Sequence, residues 1–308
     1  MAFTLRKQTS DGVVGLDIDG AFLAAAQLNG AGVKVAASRD LEADIVRDGE
    51  VLSADRLGDA LKDFFHDEGL PRRVRLGVAN QQIVVRHIEM PKIADRAERD
   101  AAIRFQTAET VAMPLDEAVI DYQTVGETPG DGGVSRERVL VVAARKAMVL
   151  RLTDAVRRAG LKPEGLDLNA FALVRTLSGG SQPDGEARVY CHLAGVANVA
   201  VGLGSTCLFT RPLTADWEGE GAVESLAEEL RMSIEYYRAQ SDAPAIRELI
   251  ISGPGARIGG LAERVGELIG LAAKAADPLG RMSASDFPED EDPYRHTVSL
   301  GLALGAAA

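Results

Sequence analysis

A chain of 308 residues with 46% apolar and 26% charged residues is long enough for two lobes and has the balance of an ordinary soluble globular protein. With 34 Lys and Arg against 46 Asp and Glu, the net charge is −12, which disfavours nucleic acid and anionic lipid and favours a partner segment rich in Lys or Arg. Two isolated cysteines, Cys191 and Cys207, and four scattered histidines, His66, His87, His192 and His296, supply no zinc-ligand array.

The opening stretch MAFTLRKQTSDG has no apolar core of a signal peptide, so a cytoplasmic protein is expected. Val13–Leu28 then reads as a hairpin with Asp and Gly at its turn, followed by a third strand near Val33–Ser38. Ala54–Glu68 has Leu57, Leu61, Phe64 and Phe65 at helical spacing, with Gly69 and Pro71 as stops. Two more strands are expected at Val74–Ala79 and Gln82–Ile88. Asp95 and Glu98 resemble a capping box, and Ala97, Ala101, Phe105, Ala108 and Ala112 share one face of the helix that follows, up to Pro114. Ile120–Val125 and Arg138–Ala144 read as strands flanking a flexible loop at Thr128–Ser135, and Lys146–Ala159 as a helix closed by Gly160. Residues from Arg86 to about Ala159 therefore form an α/β insert.

Ser178–Gly185 has the composition of a linker. Beyond it the hairpin pattern restarts at Arg188–Leu193, Val196–Leu203 and Cys207–Pro212, which accounts for the uncharged stretch Val189–Thr210 better than a membrane-spanning helix does. A long helix carries Val223, Leu226, Leu230, Ile234 and Tyr237 on one face. Glu248–Ser252 is a strand leading into GPGARIGG and a helix bearing Ile258, Leu261, Val265 and Leu268; the acidic loop Asp286–Asp292 is expected to be solvated, and the chain ends in a small-residue helix. This duplicated order, hairpin then helix in each half, predicts a two-lobed α/β fold with a ligand cleft between the lobes. The lobes are expected at 1–178, with an insert at about 86–160, and at 186–308, with the last helix from about 295 packing back on the first lobe.

Several segments, in order, carry a family resemblance. VGLDI at Val14–Ile18 resembles the first phosphate motif of the actin-like ATPases. RHIEMP (Arg86–Pro91), AMPLDEAVIDYQTVG (Ala112–Gly126), RVLVVAARKAMV (Arg138–Val149) and AGLKPEGLDLNAFALVR (Ala159–Arg175) resemble the PilM family of pilus assembly proteins. So do LAEELRMSIEYYRAQ, LIISGPGARIGGL, ADPLGRM and SLGLAL in the second half. The resemblance implies a duplicated, ribonuclease H-like actin fold, ATP and Mg²⁺ in the cleft, and a first-lobe groove for the cytoplasmic tail of a PilN-type membrane protein. Such tails are often basic around an Asn-Leu-Leu-Pro core, which suits an acidic protein. The protein would then sit at the inner face of the membrane through that partner, with other platform proteins and self-association as further expectations. The cell-division protein FtsA shares the fold and is one alternative, although its long amphipathic C-terminal tail is not found in this sequence; an active actin-like ATPase is another.

By the same resemblance, the nucleotide contacts fall on Gly15, Asp17, Gly20, Gly195, Asn198, Glu229, Gly253, Gly255 and Ala256, with Asp17 as the magnesium-side acid. Read from the residues alone, Asp17 is equally a turn aspartate, Gly253 and Gly255 a plain strand-to-helix turn, and Glu229 and Arg231 an exposed ion-pairing face. The strand near Arg86 and the helix around Ala101–Glu109 either border the tail groove or form the insert's own core. No catalytic residue is assigned. The sequence also departs from the family pattern: Asp19 stands where a glycine is usual, Ala24 where a lysine is common, and His192, Ala194 and Asn198 replace the Asp, Gly and Thr of the second loop. Charge-assisted contacts contribute about 1.5–3 kcal/mol each, so losing two or three predicts ATP affinity lower by roughly two to six decades, and no turnover.

Overall fold

The computed structural model describes residues 12–30, 32–129, 135–178, 185–240, 243–280, 282–284 and 286–307. The expected loop at Thr128–Ser135, the linker at Ser178–Gly185 and the opening stretch lie wholly or largely outside the described residues. The chain folds as two compact units, Met1–Asn80 with Asp154–Ala308, and Gln81–Thr153.

In chain order the elements are β1 (Val13–Ile18), β2 (Phe22–Asn29), β3 (Gly32–Asp40), β4 (Val46–Arg47), β5 (Glu50–Val51), α1 (Ala54–Asp67), β6 (Arg73–Val78) and β7 (Ile83–Pro91). Next come α2 (Arg96–Thr110), β8 (Ala118–Pro129), β9 (Ser135–Arg145), α3 (Lys146–Arg158), β10 (Lys162–Leu168) and α4 (Asn169–Leu177). The remainder is β11 (Ala187–His192), β12 (Asn198–Leu203), β13 (Thr206–Pro212), α5 (Ala222–Arg238), β14 (Ile246–Ser252), α6 (Leu261–Ile269), β15 (Ala273–Ala275) and α7 (Thr297–Ala307).

The larger unit contains two five-stranded sheets built to one plan. The first has the order β10-β6-β1-β2-β3 and the second β15-β14-β11-β12-β13. In each, three strands run parallel and two antiparallel strands continue from the innermost one. Strands covered on both faces read as continuous apolar runs, as in VVGLDI of β1, where all but Ile18 are buried. α1 starts at Ser53, whose side chain accepts the Arg56 N–H, and buries Leu57, Leu61, Phe64 and Phe65 as the spacing predicts. α5 likewise buries Leu226, Leu230, Ile234 and Tyr237 against the second sheet.

β10 and α4 are among the elements of this unit that escape the sequence pattern. β10, KPEGLDL, has neither Val nor Ile and carries Pro163 and Gly165 at a register irregularity. It is an edge strand, where proline is tolerated, and ion pairs to its neighbour β6 stitch it on: Arg73 to Glu164 at 2.7 Å and Arg75 to Asp167 at 3.2 Å. α4 follows it directly. Two expectations need correction. Ile258 lies outside α6, at the end of a short 3-10 turn, and is exposed. Glu291 is not free in solvent: it accepts hydrogen bonds from the backbone and hydroxyl of Ser38, both at 2.8 Å, and meets His296 Nε2 at 2.9 Å. Burial raises its pKa, but these bonds hold it below the ordinary glutamate value.

The smaller unit is the sheet β7-β9-β8 with α2. Its core joins Ile88, Met90, Val139 and Val141 to Ile103 of the helix. The residues expected to share one face of α2 do so, and that face is turned to solvent rather than to the core. Ile103 and Thr107 face inward, the Thr107 hydroxyl being satisfied by the Ile103 carbonyl at 2.6 Å, while Ala97, Ala101, Phe105, Ala108 and the following Ala112 are exposed. A residue two positions on sits roughly 200° round a helix, so burying Ile103 turns Phe105 outward. One isoleucine outweighs a stripe made mostly of alanines because buried apolar area, not the number of apolar residues, sets the stabilisation.

Candidate functional site

The C-terminal ends of the parallel strands, where α/β sheets usually receive ligands, bring together parts of the predicted site. Asp17 lies at the end of β1, buried to 1% exposure. Asn169, just past β10, donates its amide to Asp17 Oδ1 at 3.2 Å. It reaches there across β6 because Gly77 has no side chain: a Cβ at Gly77 would lie 3.3 Å from the Asn169 amide carbon. Burial and the neighbouring Asp19 charge push the Asp17 carboxyl well above the usual aspartate range. Directly across from Asp17 on β2 is Ala24, also buried.

The turn from β1 to β2 passes through Asp19 and Gly20. The Asp19 N–H donates to the Phe22 carbonyl at 3.1 Å, and Gly20 takes φ +110, a left-handed conformation that favours glycine. The turn from β11 to β12 meets it. The Gly195 N–H donates to Asp19 Oδ2 at 2.7 Å. Asp19 is 8% exposed, and its Oδ1 has no hydrogen-bond partner. Burial pushes its carboxyl up to about 6; the Gly195 and Ala21 backbone N–H groups and the Arg295 charge oppose that rise. Arg295 itself pairs with Asp40 at 2.7 Å and stacks over the Phe22 ring.

Behind the second turn, His192 Nδ1 lies 3.0 Å from Ser252 Oγ, both residues buried, and burial lowers the imidazole pKa to about 4, so it is neutral at pH 7. Gly253 (φ +79) and Gly255 follow Ser252 and close on Leu193: a Cβ on Gly255 would fall 2.6 Å from the Leu193 Cβ, and the Gly255 N–H donates to the Leu193 carbonyl at 3.1 Å. Ala256 N–H donates to the Gly253 carbonyl at 2.9 Å, closing a tight turn. Trp217 completes the packing, its indole N–H reaching the Ala194 carbonyl at 3.4 Å.

The remaining predicted residues lie in other settings. Gly15 sits beneath α7, where a Cβ would fall 2.6 Å from the Ala303 nitrogen. The Asn198 amide oxygen accepts from the Thr210 hydroxyl at 3.0 Å within the second sheet. Glu229 accepts the Thr214 N–H at 3.0 Å and pairs with Arg211, pinning the chain after β13 to α5. Arg231 donates to the Leu268 carbonyl at 2.9 Å and so ties α5 to α6. Sequence reasoning missed Asn169, Gly77, Ser252 and Trp217 as neighbours of these groups; each faces its partner only through strand pairing or loop packing, which leaves no local pattern. No group of three or more His, Cys, Asp or Glu side chains suited to a metal occurs among the described residues.

Comparison with known proteins adds three results. The family model described as type IV pilus assembly protein PilM matches residues 15–199. No curated protein matches the chain in sequence. Among solved structures, a PilM-PilN type IV pilus biogenesis complex superposes with a TM-score of 0.85 at 21% identity, covering 96% of this chain and 99% of that one. The cytoplasmic domain of EpsL, an inner-membrane component of the type II secretion system of Vibrio cholerae, gives 0.53 at 11% identity, with coverage of 95% and 94%. The ethanolamine utilization protein EutJ of Carboxydothermus hydrogenoformans gives 0.52 at 12% identity, with coverage of 94% and 88%. The duplicated sheets are thus those of the actin-like ATPase fold.

Proposed function

Because this chain belongs to the PilM family of type IV pilus assembly proteins, we propose that it is a cytoplasmic adaptor of the pilus platform that holds the tail of a PilN-type membrane protein. The observation that carries this reading beyond the family is the outer face of α2. Phe105, 68% exposed, stands there in a stripe of exposed alanines, Ala97, Ala101 and Ala108. An exposed aromatic on a small-residue helix face suits the apolar core of a short peptide, and the net charge of −12 suits its basic flanks. β7, which carries Arg86, pairs only with β9 among the described strands and would offer the tail a second contact, separate from the Phe105 face. No helix among the described residues is long and apolar enough to cross a membrane, and the proposed partner supplies the membrane attachment. The lobe limits at 178 and 186, the insert at about 86–160 and contacts with further platform proteins or a second copy belong to the same reading.

We also propose that the cleft binds ATP weakly and does not turn it over. A magnesium-bound triphosphate needs free backbone N–H groups, cations and ionised acids. Here the Gly195 N–H is engaged by Asp19, Ala24 offers no cation opposite Asp17, His192 is neutral, and burial favours the protonated form of Asp17. The residues present do not fit the group, and no chemical step is assigned to it.

Calorimetric titration with a synthetic PilN-type tail, with and without ATP and Mg²⁺, tests both proposals. Micromolar or tighter tail binding that ignores nucleotide is expected, weakened at least tenfold by Phe105→Ala. Tail binding that requires ATP would overturn the second proposal, and absence of tail binding in both conditions the first.

A further inference from the structure

The two turns at the strand ends are joined by a buried charge that no ion pair neutralises among the described residues. Asp19 is a buried carboxylate, and among the described residues no cation lies within salt-bridge distance of it. Arg295, the cation that influences it, is committed to Asp40 and Phe22. The carboxylate takes the Gly195 N–H on Oδ2 and faces the Ala21 backbone N–H of its own turn, while Oδ1 closes no hydrogen bond. Burying an ion without a paired cation is costly, and only its hydrogen bonds offset that cost. The opposite turn is shaped to receive it: a Cβ on Gly195 would fall 2.8 Å from Asp19 Oδ1, so only glycine allows the approach. A backbone N–H exposed at a glycine turn is a general receptor for anionic oxygen. That receptor is occupied by the protein's own side chain.

We propose that Asp19 is a built-in anion that occupies the Gly195 N–H, holds the two turns together and excludes phosphate-bearing ligands from this end of the cleft. The inference rests on the reading of weak ATP binding and gives it one identified cause. Removing the charge therefore opens a site for phosphate oxygens rather than merely loosening a loop. Asp19→Ala removes both charge and acceptor, whereas Asp19→Asn removes the charge and preserves the shape.

The test is calorimetric titration of wild type, Asp19→Ala and Asp19→Asn with ATP and Mg²⁺, and with inorganic tripolyphosphate, beside circular-dichroism melts and hydrogen exchange at the Gly195 amide. Expected are weak binding by wild type, at least tenfold tighter binding of both ligands by Asp19→Ala, a smaller gain by Asp19→Asn, and faster Gly195 exchange in the alanine variant. Tight ATP binding by wild type would overturn the reading of a weak cleft and this inference with it. Weak binding by wild type and by both folded variants would leave that reading standing and overturn the role of Asp19. If the alanine variant fails to fold, Asp19→Asn decides: affinity unchanged from wild type overturns the proposal, and a gain of threefold or more supports it.

Discussion

At Gly15 the absence of one methyl group lets α7 lie directly on β1. Gly15→Ala would drive a Cβ into the helix backbone, and overpacking of this kind costs about 1–3 kcal/mol. A urea melt should show that loss, and an unchanged midpoint would mean α7 can shift at no cost. His192 makes a pH-dependent contribution with a definite sign. Its imidazole is buried neutral, with a pKa lowered to about 4 from the ordinary 6.5. The native state therefore binds fewer protons than the unfolded chain, and stability present above pH 6.5 is lost as pH falls toward 4. A downshift of that size corresponds to at most about 3.5 kcal/mol. Thermal melts from pH 7.5 to 4.5 should show His192→Gln losing less stability on acidification than wild type; parallel curves would place the acid-sensitive group elsewhere. Asp17 and His192 are both legible in the sequence as strand-end polar residues. Their partners Asn169 and Ser252 are not, because each lies across a strand pairing that no local spacing encodes.

α2 separates two roles that helical periodicity merges. Ile103→Ala removes the helix's buried anchor, and a loss of about 2–5 kcal/mol is expected for such a truncation. Hydrogen exchange should place that loss within Gln81–Thr153. Phe105→Ala, on the exposed face, should change stability by less than about 0.5 kcal/mol while weakening the tail. If Phe105→Ala destabilises as much as Ile103→Ala, the exposed face is structural. The apolar stripe was real as a pattern, but alanine buries too little area to compel burial, and the three-stranded sheet selects Ile103. β10 teaches the converse: a polar strand with proline and glycine is held by ion pairs to β6 and by its edge position rather than by apolar alternation.

For the molecule as a whole, the net charge of −12 makes the proposed tail recognition sensitive to salt. Exposed charges are screened beyond about 8–10 Å near physiological ionic strength and beyond about 3 Å at 1 M, so raising salt from about 50 to 500 mM should weaken binding of a basic tail several-fold. An affinity unmoved by salt would assign recognition to the apolar face alone. The duplicated architecture was readable from the repeated hairpin and helix order, because buried apolar runs, glycine turns and helical spacing are local properties of the chain. The sequence by itself determined those elements, the acidic surface and the family. Only the tertiary structure decided which face of α2 is buried, that Asp19 reaches Gly195 across 176 positions, and that Gly15 serves a helix crossing. Those outcomes depend on which distant groups share a space, and the competition for buried volume and backbone hydrogen bonds is settled only when the sheets assemble.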